Sequence, residues 1–136
     1  MEVIQTGCLF FQLSDMQFGS SELTRSFKFR IKTNKTISAK LENTLDLCRF
    51  LYNSALQERR DAYKLNRVSL NYCDQANQLS EIKRTNPEYL GIYSQVLQDV
   101  LKRLDKCFQS FFRRVKQNTK AGFPRFQRKN RFDSFC

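Results

Sequence analysis

Apolar positions recur at helical spacing over most of the chain. From Ile37, the series Leu41, Leu45, Cys48, Tyr52, Ala55 and Leu56 returns every three or four residues, which gathers side chains on one face of an α-helix. Leu47, Phe50 and Leu51 widen that stripe. The spacing predicts a helix from about Thr36 to about Lys64, long for a small domain. After a loop over Asn66–Tyr72, Asp74 is a plausible N-cap. It opens a short helix to about Arg84, with Ala76, Leu79 and Ile82 inward. Asn86-Pro87 breaks that helix, and Tyr89, Leu90, Ile92 and Tyr93 make an apolar connector. Ser94 then caps the strongest stripe in the chain: Leu97, Val100, Leu101, Leu104, Cys107, Phe108, Phe111, Phe112 and Val115. That helix is expected to run to about Gln117, with Gly122 beyond it as a helix stop.

The pattern changes at both flanks. In LTRSFKFRIK, residues 23–32, Phe27, Phe29 and Ile31 alternate with Lys28, Arg30 and Lys32. Strict alternation predicts a strand with one apolar face and one cationic face. At the other end, GFPRFQRKNRFDSFC interleaves Phe123, Phe126, Phe132 and Phe135 with Arg125, Arg128, Lys129 and Arg131. The Lys129-Asn130 pair suits a turn, so this tail is read as a β segment, a hairpin in form. Packing against the bundle or the Phe27 strand is the expected use of these rings. Residues 1–22 show no sustained period and close on Gly19, Ser20 and Ser21, which reads as a poorly ordered extension. The expected fold class is therefore mainly α. A small antiparallel helical bundle, residues 34–120, is inserted between an N-terminal strand (23–33) and a C-terminal β segment (121–136).

Composition narrows what such a bundle can do. The 24 Lys and Arg outnumber the 13 Asp and Glu, a formal net charge of +11. An excess this large favours an anionic partner, nucleic acid before an anionic membrane surface. It is also concentrated, with nine Lys or Arg and no acid from Lys106 through Phe132. Cations at a helix C-terminus are favoured by its dipole, which accounts for part of the cluster only. The expected nucleic-acid contacts are Lys28, Arg30, Lys32, Arg113, Arg114, Lys116, Arg125, Arg128, Lys129 and Arg131. Arg49, Arg59, Arg60 and Lys64 lie off the apolar stripe of the first helix, but Glu58 and Asp61 partly compensate them.

Histidine is absent, which removes the commonest general base and the commonest neutral metal ligand. The five cysteines, at 8, 48, 73, 107 and 136, are each at least 25 residues from the next. No zinc-type spacing exists. An odd count without a secretion signal points to a reducing cytosol and mostly unpaired thiols. The N-terminal apolar patch has no basic region before it and is too short to span a bilayer. The expectation is a cytoplasmic protein that meets no membrane and holds no metal or cofactor. No catalytic constellation is legible.

From Leu23 onward, the chain resembles the N-terminal region of the TnpB (OrfB) family of transposon-encoded proteins. The segments that carry the likeness are FKFRI at 27–31, LCRFLYNSALQERRDAY at 47–63, YCDQANQL at 72–79, SQVLQDVLKRLDKCFQSFFRRVK at 94–116 and GFPRFQRKNRFDSF at 122–135. This region is commonly labelled a transposase helix-turn-helix domain. The resemblance implies a protein that binds a transposon-derived guide RNA and cuts DNA with a RuvC-like domain. It also implies that 27–31 and 122–135 belong to a wedge-like β domain, and that the helices belong to a recognition lobe inserted in it. The RuvC-like carboxylates and zinc-binding cysteine pairs of that family have no counterpart here, so the chain reads as a truncated frame. Three functions follow. The first is a fragment that contacts guide RNA, or an RNA–DNA duplex, through phosphates without catalysis. The second is a sequence-specific helix-turn-helix DNA-binding module. The third is a non-functional or protein-interaction remnant.

Overall fold

A computed structural model describes residues 32–134, except the side chain of Asn130, and all of them lie in the unit Lys32–Cys136. Four α-helices follow in order: α1 Lys35–Asn66, α2 Tyr72–Asn77, α3 Leu79–Thr85 and α4 Ser94–Lys116. Short 3-10 turns occupy Pro87–Gly91 and Lys129–Arg131.

The helix α1 matches its apolar pattern in extent. Asn34 sits in extended backbone ahead of it, and the Ser38 N–H reaches back to the Asn34 carbonyl at 2.9 Å. At the far end Arg67 takes a left-handed conformation, φ 55°; its N–H reaches the Tyr63 carbonyl at 3.0 Å and the Val68 N–H reaches the Ala62 carbonyl at 3.2 Å. The predicted helix over 74–84 forms as two pieces. Asn71, not Asp74, is the cap: its side chain accepts from the N–H groups of Cys73 and Asp74, while Asp74 accepts from the Asn71 N–H at 2.8 Å. That reciprocal pairing is a capping box, in which the acid belongs at the third helical position. The Asp74 signal was real but marked a start three residues earlier. Ser94 likewise does not cap α4 with its side chain; its hydroxyl takes a bond from Lys83 Nζ, which also donates to the Ile92 carbonyl at 2.7 Å. The stop after α4 is Asn118, φ 50°, and not Gly122. Asn tolerates the left-handed region, and Thr119 N–H then closes onto the Arg114 carbonyl.

Contacts fix the directions. Gln75 meets Glu58, and Tyr89 donates to the Leu47 carbonyl, so α2 and α3 run back along α1. Tyr52 meets Cys107, and Arg59 meets Phe108, so α4 runs alongside α1 in the same sense. This up-down-up order is the expected small bundle. Its core is Leu47, Cys48, Leu51, Tyr52, Ala55 and Leu56 of α1 against Leu97, Val100, Leu101, Leu104 and Phe108 of α4, closed by Leu79 and Ile92. Both stripes run past the core. Ile37 and Leu41 at one end, and Phe112 and Val115 at the other, are exposed, because the bundle is shorter than its longest helices. Cys48, Cys73 and Cys107 are free thiols.

The β part of the expected fold is overturned. Among the described residues there is no strand. Residues 121–134 are irregular chain broken by the Lys129–Arg131 turn, not a β segment or hairpin. The physical reason is that the tail's backbone finds partners in side chains. Asn53 donates to the Gln127 carbonyl at 3.0 Å and accepts from its N–H at 2.8 Å. Arg103 donates to the Ser134 carbonyl at 2.7 Å. Phe132 is buried against Tyr52, ring centres 6.2 Å apart. The interleaved Phe and cations therefore form a strap along the bundle, not a ladder. The predicted strand over Phe27–Ile31 lies outside the described residues, as does the expected extension over 1–22; Lys32 and Thr33 are irregular chain.

Candidate nucleic-acid interface

The interface starts from how the bundle disposes of its acids. Asp99 binds Arg103 at 3.0 Å within α4. Asp105 takes Arg59 Nη1 at 3.0 Å from α1. Arg59, 7% exposed, also gives its Nε to Gln75 at 2.7 Å and lies over the Phe108 ring. Its Nη2 is buried without a hydrogen bond. Gln75 passes the network on to the Ala55 carbonyl and Glu58. These contacts tie α1, α2 and α4 together and consume the acids of the bundle's middle. Beyond Asp105 no carboxylate follows on α4.

What remains is an unbalanced helix end. Arg113, Arg114 and Lys116 occupy the last turn of α4 and are all exposed. None has an ion-pair partner among the described residues. Arg113 and Lys116 share a shallow hollow with Phe112, whereas Arg114 is absent from its lining. Arg125 follows Phe123, which packs edge-on against Phe108 and Phe111 at 5.6 and 5.4 Å. Arg125 therefore belongs to the same end of the bundle. Lys129 does not: its Nζ lies 3.5 Å from Asp46, near the middle of α1. Arg128 and Arg131 flank it on the strap, exposed and unpaired among the described residues. Lys32 is exposed at the chain's entry to α1. Lys28 and Arg30 lie outside the described residues.

Two cations that the sequence had discounted join the helix end. Arg60 and Lys64 lie one turn apart on α1 and are exposed. Glu58 and Asp61 do not neutralise them by direct pairing. Glu58 accepts from Gln75 and Gln78, and both Asp61 oxygens accept from Gln57 at 2.8 Å. Arg60 lies over Phe126 at 5.3 Å and Phe123 at 6.0 Å. The signal available in sequence was the four-residue spacing of Arg60 and Lys64 beside Tyr63. Net charge along the helix hid it, since glutamines were not counted as partners for the acids.

The remaining titration shifts belong to the frame. Partial burial opposes ionisation of Asp46, but Arg49 and Lys129 beside it hold its carboxyl below the usual value. Burial pushes the Cys48 thiol up to about 11, against the Arg103 charge. Burial, and then the Cys107 contact, push Tyr52 up to about 12. No helix of the described residues is long and apolar enough to cross a membrane.

Residues 21–67 match a helix-turn-helix domain family of the OrfB–IS605 type. The described part of that match, 32–67, holds one continuous helix, α1. Over 113 residues the chain is 29% identical to the "Putative RNA-guided DNA endonuclease InsQ" of Escherichia coli (strain K12), covering 82% of this chain and 27% of that protein. Over 110 residues it is 29% identical to a "Putative RNA-guided DNA endonuclease" of Streptomyces pristinaespiralis, covering 78% of this chain and 26% of that protein. The chain thus spans about a quarter of the length of these relatives. The likeness to TnpB/OrfB proteins, first read from residues 23–135, stands.

Proposed function

We propose that this chain binds nucleic acid through phosphates, as guide RNA or an RNA–DNA duplex, and does not cut it. The observation that carries the reading is the acid-free stretch from Lys106 through Phe132. Its cations Arg113, Arg114, Lys116, Arg125, Arg128 and Arg131 stand exposed without ion pairs among the described residues. Cations left unpaired on a rigid helix end and a strap are available to displace counterions from a phosphate backbone. The similarity to proteins named as RNA-guided DNA endonucleases supports RNA or its duplex as the ligand.

Binding measured across salt concentrations tests it. With about six phosphates engaged, log affinity falls with log salt at a slope of roughly −4 to −5. Replacing Arg113, Arg114 and Lys116 together by Gln reduces that slope by about 2 to 3. A slope near zero in the unmodified chain overturns the reading. Metal-dependent cleavage by the purified chain overturns its non-catalytic part.

The helix-turn-helix match supports a second reading, base-specific binding in a DNA groove. Against it, the described part of the match is a single helix. The cations of α4 also crowd its C-terminal turn, where a recognition helix presents its N-terminal residues to bases. Preference for one duplex over its scrambled counterpart would select this second reading.

A further inference from the structure

We infer that the cleft where the C-terminal ends of α1 and α4 meet takes an unpaired nucleobase from a single-stranded nucleic acid. The inference rests on the nucleic-acid reading above and narrows it to a stacking site. The cleft has a volume of about 690 Å³, within the range of small-molecule sites. Phe108, Phe111 and Phe123 line it and hold one another by ring contacts of 5.4 and 5.6 Å. Phe112, also in the lining, is 51% exposed and is held at 5.2 Å by the Phe111 ring. A large ring held this firmly and still half in water offers a stacking face.

Charge decides the occupant. Arg60 and Lys64 line the cleft. The single carboxylate there, Asp61, is occupied through both oxygens by Gln57. Phe112 also lines the neighbouring hollow, whose cations are Arg113 and Lys116. One aromatic ring therefore separates two cationic rims. An apolar peptide would gain nothing from four cations around its seat. A single strand uses both features: its phosphates meet the cations, and a base lies against the ring. A base within a duplex has both faces already stacked, so the cleft selects unpaired bases.

The test uses the full chain with a short fluorescent single strand, and a second strand of equal length and charge in which abasic sites replace the bases. The base-bearing strand should bind roughly five- to hundredfold more tightly. Phe112→Ala should remove that advantage while leaving the salt slope unchanged. Arg113→Gln should lower the slope while keeping the advantage. Phe112 is outside the core, and the thermal unfolding midpoint of the variant checks that its fold is intact. Equal affinity for the two strands, with a steep salt slope in both, overturns the cleft and leaves phosphate binding standing. Absence of salt-dependent binding to either strand overturns both. A dimer that forms without oligonucleotide and dissociates on Phe112→Ala would assign the cleft to a second copy and overturn the inference.

Discussion

Cys48 and Tyr52 lie one turn apart on α1, nearly or wholly buried, and both resist ionisation. In the unfolded chain the Cys48 thiol titrates near its ordinary value of 9.0; in the fold it does so at about 11. Tyr52 moves from 10.0 to about 12. Above pH 9 the unfolded chain therefore binds fewer protons than the folded one, so stability falls as pH rises. The stabilising difference is whole below pH 9, erodes through Cys48 between about pH 9 and 11, and through Tyr52 between about pH 10 and 12. Urea unfolding between pH 8 and 11 should show this decline, at no more than about 1.4 kcal/mol per pH unit for one group. Cys48→Ala should flatten the first part of the decline. An unchanged slope in that variant would show that Cys48 is not its source. The helical period placed Cys48 and Tyr52 inward, where burial raises both, but the opposing Arg103 charge and the Cys107 contact come from α4 and were not legible in the sequence. The same holds for Asn53, whose two bonds to the Gln127 backbone link positions 74 apart. Arg59 shows the converse error. It was set among surface cations, yet it is 7% exposed with Asp105 and Gln75 as partners.

At the scale of elements, what was legible was whatever repeats. α1 and α4 each extend within two residues of the limits their apolar stripes predicted, because a period sustained over many turns averages out local exceptions. Boundaries set by single side chains were less secure. Asn71, Asp74 and Ser94 are all plausible caps by residue type, and only packing decided which of them acts. The capping box on α2 makes a measurable claim. Asn71→Ala removes the acceptor for two N–H groups and should destabilise the protein by about 1 kcal/mol in denaturant titration. Gly122→Ala should cost nothing comparable, since Gly122 is not in a left-handed conformation and an added Cβ meets open space. A larger loss at Gly122 than at Asn71 would restore glycine as the stop and contradict the placement of Asn118. The tail resisted prediction for a different reason. The Lys129-Asn130 pair suits the turn of a hairpin, but a hairpin needs two strands that pair with each other. The described residues offer the tail side-chain acceptors and donors instead.

Across the whole molecule, the seam between α1 and α4 holds two populations of aromatic rings with different work. Phe132 is 8% exposed and covers Tyr52 at the middle of the bundle, whereas Phe112 is 51% exposed at its cationic end. Composition recorded thirteen Phe and could not separate these two uses; only burial does. If the division holds, stability and binding can be altered independently. Phe132→Ala removes a buried ring and loosens the strap held by Asn53 and Arg103. It should therefore cost about 3 kcal/mol in urea unfolding. Under conditions where the variant stays folded, it should keep its preference for a base-bearing strand over an abasic one, while the salt slope loses at most the share of the strap cations Arg128 and Arg131. Phe112→Ala should shift stability by no more than about 0.5 to 1 kcal/mol, since half of the ring already faces water, while weakening single-strand binding. The two substitutions thus form a crossed pair, each silent where the other acts. If Phe112→Ala unfolds the bundle, the ring is core. If Phe132→Ala abolishes binding at unchanged stability, the strap and not the helix end carries the ligand. The first result would remove the stacking face; the second would redraw the interface along the strap cations Arg128, Lys129 and Arg131 and away from Arg113 and Lys116.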